Sequence, residues 1–237
     1  LKVMYVCIGA RRIIHDPSVF LPDTFLFGDF SLDSSLKKYG FHRDDITDVF
    51  LTHMHFDHVG GSVQRRANNA ELFEPTFKNA TYWSNKHHWD WAENPNPREK
   101  ASFLKENFMP LQASGQLQFV DLPNENGLYE TPFPFQVYIV NGHTEAQMIP
   151  LLDDKGEKVL YAADLLPSVG HIPLPYVMGY DVRPLLTLKE KAWVLNEVVD
   201  QNIKIFFEHD SQNEMCSLKA TEKGPRLDEV LRLKDLS

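Results

Sequence analysis

Six consecutive positions constrain this chain more than any others: His53-Met54-His55-Phe56-Asp57-His58 sets three imidazoles and a carboxylate one residue, Thr52, after the apolar run Val49-Phe50-Leu51. That run reads as a buried strand. Neutral imidazole nitrogen and carboxylate oxygen are good ligands for zinc and similar metals. In an extended segment, side chains two positions apart share a face, so His53 and His55 are placed to grip one metal. Asp57 and His58 fall where the chain turns, and can face a second. Gly60-Gly61 follows and lets the backbone fold tightly away.

Other short runs rich in β-branched and aromatic residues read as strands at Val3–Ile8, Arg12–His15, Asp48–Leu51, Thr81–Ser84, Gln118–Asp121, Phe135–Val140, Met148–Leu152, Lys158–Ala162 and Ile203–Phe207. Helical spacing appears at Ser31–Tyr39, Lys86–Glu93, Pro97–Phe108, Leu188–Gln201 and Arg226–Leu231. Strands and helices are interspersed, and Met148–Leu152, the Asp153-Asp154-Lys155-Gly156 turn and Lys158–Ala162 form a hairpin signal. The mixture predicts an α/β or α+β layered fold. No linker or repeat divides the chain, so one domain spanning 1–237 is expected, with a helical insertion at about 85–114.

Three of those strands end on further candidate ligands. Phe135–Val140 leads to Asn141-Gly142-His143-Thr144, Lys158–Ala162 to Ala163-Asp164, and Ile203–Phe207 to Glu208-His209-Asp210. Singly, a histidine or aspartate after a strand is more often a turn residue. With the first cluster they make seven ligands, a set that suits two metals, one bridging carboxylate and a position open to water.

Composition narrows the partners. A formal net charge of −9 disfavours nucleic acid, since lysines and arginines are scattered and form no basic patch. Two cysteines, Cys7 and Cys216, make no disulfide framework. No apolar run spans a membrane and no secretory signal is visible, so a cytoplasmic location is expected. The expected partner is a small-molecule substrate. A homodimer is plausible if the insertion exposes apolar surface.

The motifs resemble the metallo-β-lactamase superfamily from about Ile13 to His209: His53, His55, Asp57 and His58, then Gly142-His143-Thr144, then Asp164, then His209. The resemblance implies an αββα sandwich of two mixed β-sheets flanked by helices, with metals at one edge. By that likeness His53, His55 and His143 hold one metal, Asp57, His58 and His209 the other, and Asp164 bridges. Zinc is the expected metal, with manganese, iron or cobalt also suited to such donors. The implied chemistry is hydrolysis by a metal-bound hydroxide, with Asp57 as the catalytic proton carrier.

The chain departs from the family pattern at Ile13-Ile14-His15-Asp16-Pro17-Ser18, where Asp16 matches but the usual following glycine is absent. His55 stands where the flavin-linked di-iron members carry glutamate, which sets iron redox chemistry aside. The pattern is most similar to the lactonase and methyl parathion hydrolase-like branch. Many quorum-quenching lactonases have a tyrosine three residues after the bridging aspartate. Here that position is Pro167, leaving Tyr176 or Tyr180 as replacements. Trp89 and His171 are further candidate substrate contacts. His15, His42, His87 and His88 read as structural or surface residues. The expected activity is lactone or ester cleavage in a mostly apolar small molecule. The alternatives are a phosphotriester hydrolase, a nucleic-acid phosphodiesterase, or a metal-dependent binding protein without catalysis.

Overall fold

A computed structural model describes residues 32–236, which fall into two compact units, one reaching to Asp121 and the other starting at Leu122. The expected strands Val3–Ile8 and Arg12–His15, together with Cys7, His15 and Asp16, lie outside the described residues. No described helix is long and apolar enough to cross a membrane.

The first unit holds α1 (Leu32–Lys38), β1 (Asp48–Phe50), α2 (Phe56–Val59), β2 (Val63–Arg66), β3 (Asn69–Pro75), β4 (Thr81–Asn85), α3 (Lys86–Glu93), α4 (Lys105–Ala113) and β5 (Leu117–Val120). Strands β1, β4 and β5 form a parallel sheet in the order β1-β4-β5, and β2 and β3 pair as an antiparallel ribbon. Val49, Leu51, Met54, Tyr82, Trp89, Phe108 and Leu111 belong to its core. Helix α3 starts where predicted because the Asn85 side chain accepts the His88 amide at 2.8 Å, a direct N-cap. The helix expected over Pro97–Phe108 starts instead at Lys105. Asn96 Oδ1 accepts the amides of both Arg98 and Glu99, which closes a tight turn, and Leu104 is extended before α4 begins.

The second unit holds β6 (Gly127–Tyr129), β7 (Phe135–Val140), β8 (Gln147–Asp154), β9 (Glu157–Tyr161), α5 (Pro184–Asp200), β10 (Lys204–Phe206), β11 (Met215–Lys219) and β12 (Arg226–Leu231). They form one seven-stranded mixed sheet, ordered β12-β11-β10-β9-β8-β7-β6. Only β9 and β10 run parallel, and the crossover between them carries α5. The β8–β9 hairpin turns on Lys155 and Gly156, both at positive φ (55° and 94°), the signature of a type I′ turn. Val194, Leu195 and Val198 of α5 enter this unit's core.

Arg226–Leu231, expected as a helix, is the edge strand β12, antiparallel to β11 from Met215↔Leu231 to Lys219↔Arg226. Leu227, Val230 and Leu231 have helical spacing, but the segment is short, and ladder bonds to β11 outweigh a helix that would close barely two turns.

Candidate metal-binding clusters

In the first unit, the motif begins where β1 leaves its sheet. The Leu51 amide still bonds to the Trp83 carbonyl on β4 at 2.9 Å; the next residues turn away. The Met54 amide donates to His88 Nε2 at 2.7 Å. His88, itself buried on α3, therefore props the peptide between His53 and His55, and keeps a lone pair on Nε2 to do so. His55 is the N-cap residue of α2, and its carbonyl accepts the His58 amide at 2.9 Å. This one short turn brings three buried imidazoles together: ring centroids lie 4.6 Å apart for His53 and His55, and 3.9 Å for His53 and His58. Asp57 stands beside them, its Oδ2 3.6 Å from His58 Nε2 and its side chain 38% exposed.

A carboxylate that the sequence reading passed over backs this cluster. Glu99 is buried, with Oε1 3.5 Å from His55 Nε2. Its Oε2 accepts from Trp91 Nε1 (2.7 Å) and Asn96 Nδ2 (2.5 Å).

In the second unit, β7 delivers His143 through Asn141-Gly142. The amides of Asn141 and Gly142 donate to the Glu190 carboxylate on α5 at 2.6 and 2.9 Å. The backbone approaches α5 so closely that a Cβ on Gly142 would lie 2.4 Å from Thr187 Oγ1 and 2.5 Å from its amide, so only glycine fits. Burial pushes the Glu190 carboxyl up, and those amides partly offset it. Asp164 follows β9 in a single 3-10 turn, after Ala163 in the left-handed region at φ 41°.

The second cluster is then set by Asp164. Its Oδ2 lies 3.0 Å from His143 Nε2, and its Oδ1 lies 3.0 Å from His209 Nε2, just past β10. The other His143 nitrogen, Nδ1, lies 3.0 Å from Asp181 Oδ1. Burial works against a charge on His143, but Asp164 and Asp181 outweigh it and raise its pKa to about 9. Among candidate ligand atoms, those of His53 and His55, of Asp57 and His58, and of His143 and Asp164 lie within 4.8 Å of each other. Buried imidazoles crowded in this way favour a shared cation over several separate protons, so the donor chemistry of each cluster fits divalent metal.

The expected substrate contacts fare differently. Trp89 is a core residue, 2% exposed, edge-on to Phe108 at 5.4 Å and tilted against Phe119; its ring is committed to packing rather than to a pocket wall. His171 is half-buried, its Nδ1 2.8 Å from Ser168 Oγ, and burial together with nearby Lys191 pushes its pKa down. Tyr176 and Tyr180 are 61% and 79% exposed on the same loop. Glu99, Asp181 and Glu190 were not singled out in the sequence. The one available signal was for Glu190, an acid four residues before Val194 on the apolar stripe of α5.

Known proteins agree with this picture. Residues 12–66 match the family model of the metallo-beta-lactamase superfamily, a stretch that contains the first motif. A probable metal-dependent hydrolase from Staphylococcus aureus is similar at 24% identity and TM-score 0.70, over 86% of this chain and 69% of that one. AidC, a dizinc quorum-quenching lactonase solved in complex with a product, N-hexnoyl-L-homoserine, is similar at 24% identity and TM-score 0.68, over 85% of this chain and 70% of that one. The hydrolase AbOPH of the beta lactamase superfamily has 19% identity and TM-score 0.70, over 97% of this chain and 76% of that one. No curated protein matches the chain. Over residues 12–66, then, the chain matches the metallo-beta-lactamase superfamily, and its fold is similar to those of these solved hydrolases.

Proposed function

We propose that this protein is a dizinc hydrolase that opens lactones, or cleaves esters, of mostly apolar small molecules. The observation that carries the reading is Asp164, a buried carboxylate presenting one oxygen to His143 and the other to His209, each at 3.0 Å. A carboxylate so divided is suited to bridge two cations. In this assignment, carried over from the family resemblance, His53, His55, Asp57 and His58 of the first unit and His143, Asp164 and His209 of the second would be the zinc ligands. Zinc held there would activate a water at neutral pH and act as a Lewis acid toward the substrate carbonyl.

The chain's own groups do the rest. Asp57, the partly exposed carboxylate of the set, is the group assigned to carry the proton to the leaving oxygen. His88 fixes the peptide on which His53 and His55 hang. The loop after Asp164 exposes Leu174, Tyr176 and Tyr180, which suits an uncharged, largely apolar substrate. The likeness to AidC supports a lactone as the first substrate to try.

The test is lactone opening followed by pH-stat over short and long acyl chains, with metal stripping and zinc add-back. Chelator-sensitive opening, restored by zinc and absent in His143→Ala, is expected. A zinc-loaded protein inert toward lactones and esters would sink the reading.

A further inference from the structure

We propose that Asp181 is a positioning residue for His143, fixing which ring nitrogen is offered to metal; this rests on the metal-centre reading above. Asp181 is 1% exposed, and its Oδ1 lies 3.0 Å from His143 Nδ1. The opposite ring nitrogen, Nε2, faces Asp164 at 3.0 Å. One imidazole is thus held between two carboxylates with different tasks. With metal bound, a proton kept on Nδ1 and donated to Asp181 would leave the Nε2 lone pair free for the cation, on the side that Asp164 faces. A carboxylate behind a ligating histidine fixes the ring's tautomer and orientation and raises its basicity as a ligand.

The backbone shows that the placement of Asp181 is built in. The Val182 amide donates to the His143 carbonyl at 3.1 Å and the Arg183 amide to the Gly142 carbonyl at 2.8 Å. The Arg183 guanidinium reaches the Asn141 carbonyl at 2.7 Å and the Glu145 carboxylate at 2.6 Å. Residues 181–183 are therefore laced along the 141–145 turn, so the Asp181 carboxylate meets Nδ1 without a flexible reach.

The experiment measures zinc affinity by chelator competition in wild type, Asp181→Asn, Asp181→Ala and Lys155→Ala, the last a control on the β8–β9 turn. Thermal unfolding of each zinc-free protein and the 15N NMR signature of the His143 ring accompany it. Asp181→Asn keeps an acceptor for Nδ1 without the charge, and Asp181→Ala removes both. Expected are zinc binding weakened about 10- to 100-fold in Asp181→Ala, an intermediate loss in Asp181→Asn, and a wild-type value for Lys155→Ala. The wild-type ring should be protonated at Nδ1 when zinc is bound, and mixed in Asp181→Ala. Asp181 variants that melt earlier but bind zinc as wild type does, with an unchanged His143 tautomer, would overturn the proposal and leave the metal reading intact. A wild-type protein that takes up no zinc would overturn that reading, and this inference with it.

Discussion

Glu190 illustrates how much of the second cluster depends on one buried side chain. Its two oxygens accept the amides of Asn141 and Gly142, and Oε1 also accepts from Asn126 Nδ2 at 2.7 Å. Glu190→Ala strands those donors, each unsatisfied buried group costing about 1–3 kcal/mol. The expected outcome is a clear loss of stability in urea unfolding and weaker zinc binding, because the turn carrying His143 loses its anchor. Stability unchanged from wild type would contradict this. Gly142→Ala tests the same contact sterically. The added methyl would overlap Thr187, and overpacking of this kind costs about 1–3 kcal/mol, read as a fall in the thermal midpoint. At this scale the sequence was informative about ligands and silent about their supports. Three histidines and an aspartate in six positions are conspicuous. Glu99, Asp181 and Glu190 are acids like any others in the chain until tertiary structure turns them inward.

At the scale of elements, α5 and the loop after Asp164 are joined through Lys191. This buried lysine donates to the carbonyls of His171 (2.7 Å), Pro173 (3.1 Å) and Tyr176 (2.6 Å). Burial lowers its pKa from 10.5 to about 8, with Asp181 opposing. The sign of the pH effect follows. Between about pH 8 and 10.5 the unfolded chain binds more protons at this site than the folded one, so this group makes stability rise with pH across that window and contributes no slope below it. Urea unfolding of wild type and Lys191→Met from pH 7 to 10 should diverge above pH 8, wild type gaining relative to the variant. Parallel profiles would refute the assignment. Most elements were legible because each carries one strong local signal: five of the six residues of Phe135–Val140 are β-branched or aromatic, and α3 has its Asn85 cap. Arg226–Leu231 was misread because its apolar spacing fits a helix while its partner, β11, lies outside the segment. The ribbon of β2 and β3 went unread because Arg65, Arg66 and Asn69 dilute any alternation.

For the whole molecule, each unit carries its own donors at strand ends: His53, His55, Asp57 and His58 in the first, His143, Asp164 and His209 in the second. The order of those donors was readable along the chain. The division of the chain into two compact units was not, since no linker composition marks the step from Asp121 to Leu122. Metal bound only by the folded state stabilises it by mass action, about 2.7 kcal/mol when free zinc is one hundred times the dissociation constant. Zinc should therefore raise the thermal midpoint of stripped protein, and a chelator should lower it again. A midpoint indifferent to zinc would argue against ligation by the folded chain. The most direct test of the central claim is the zinc content of desalted protein by elemental mass spectrometry. The account predicts two zinc ions per wild-type chain and a reduced content in Asp164→Ala, whose loss removes the shared ligand. A wild-type chain that holds none, or an Asp164→Ala variant that keeps both, would contradict it.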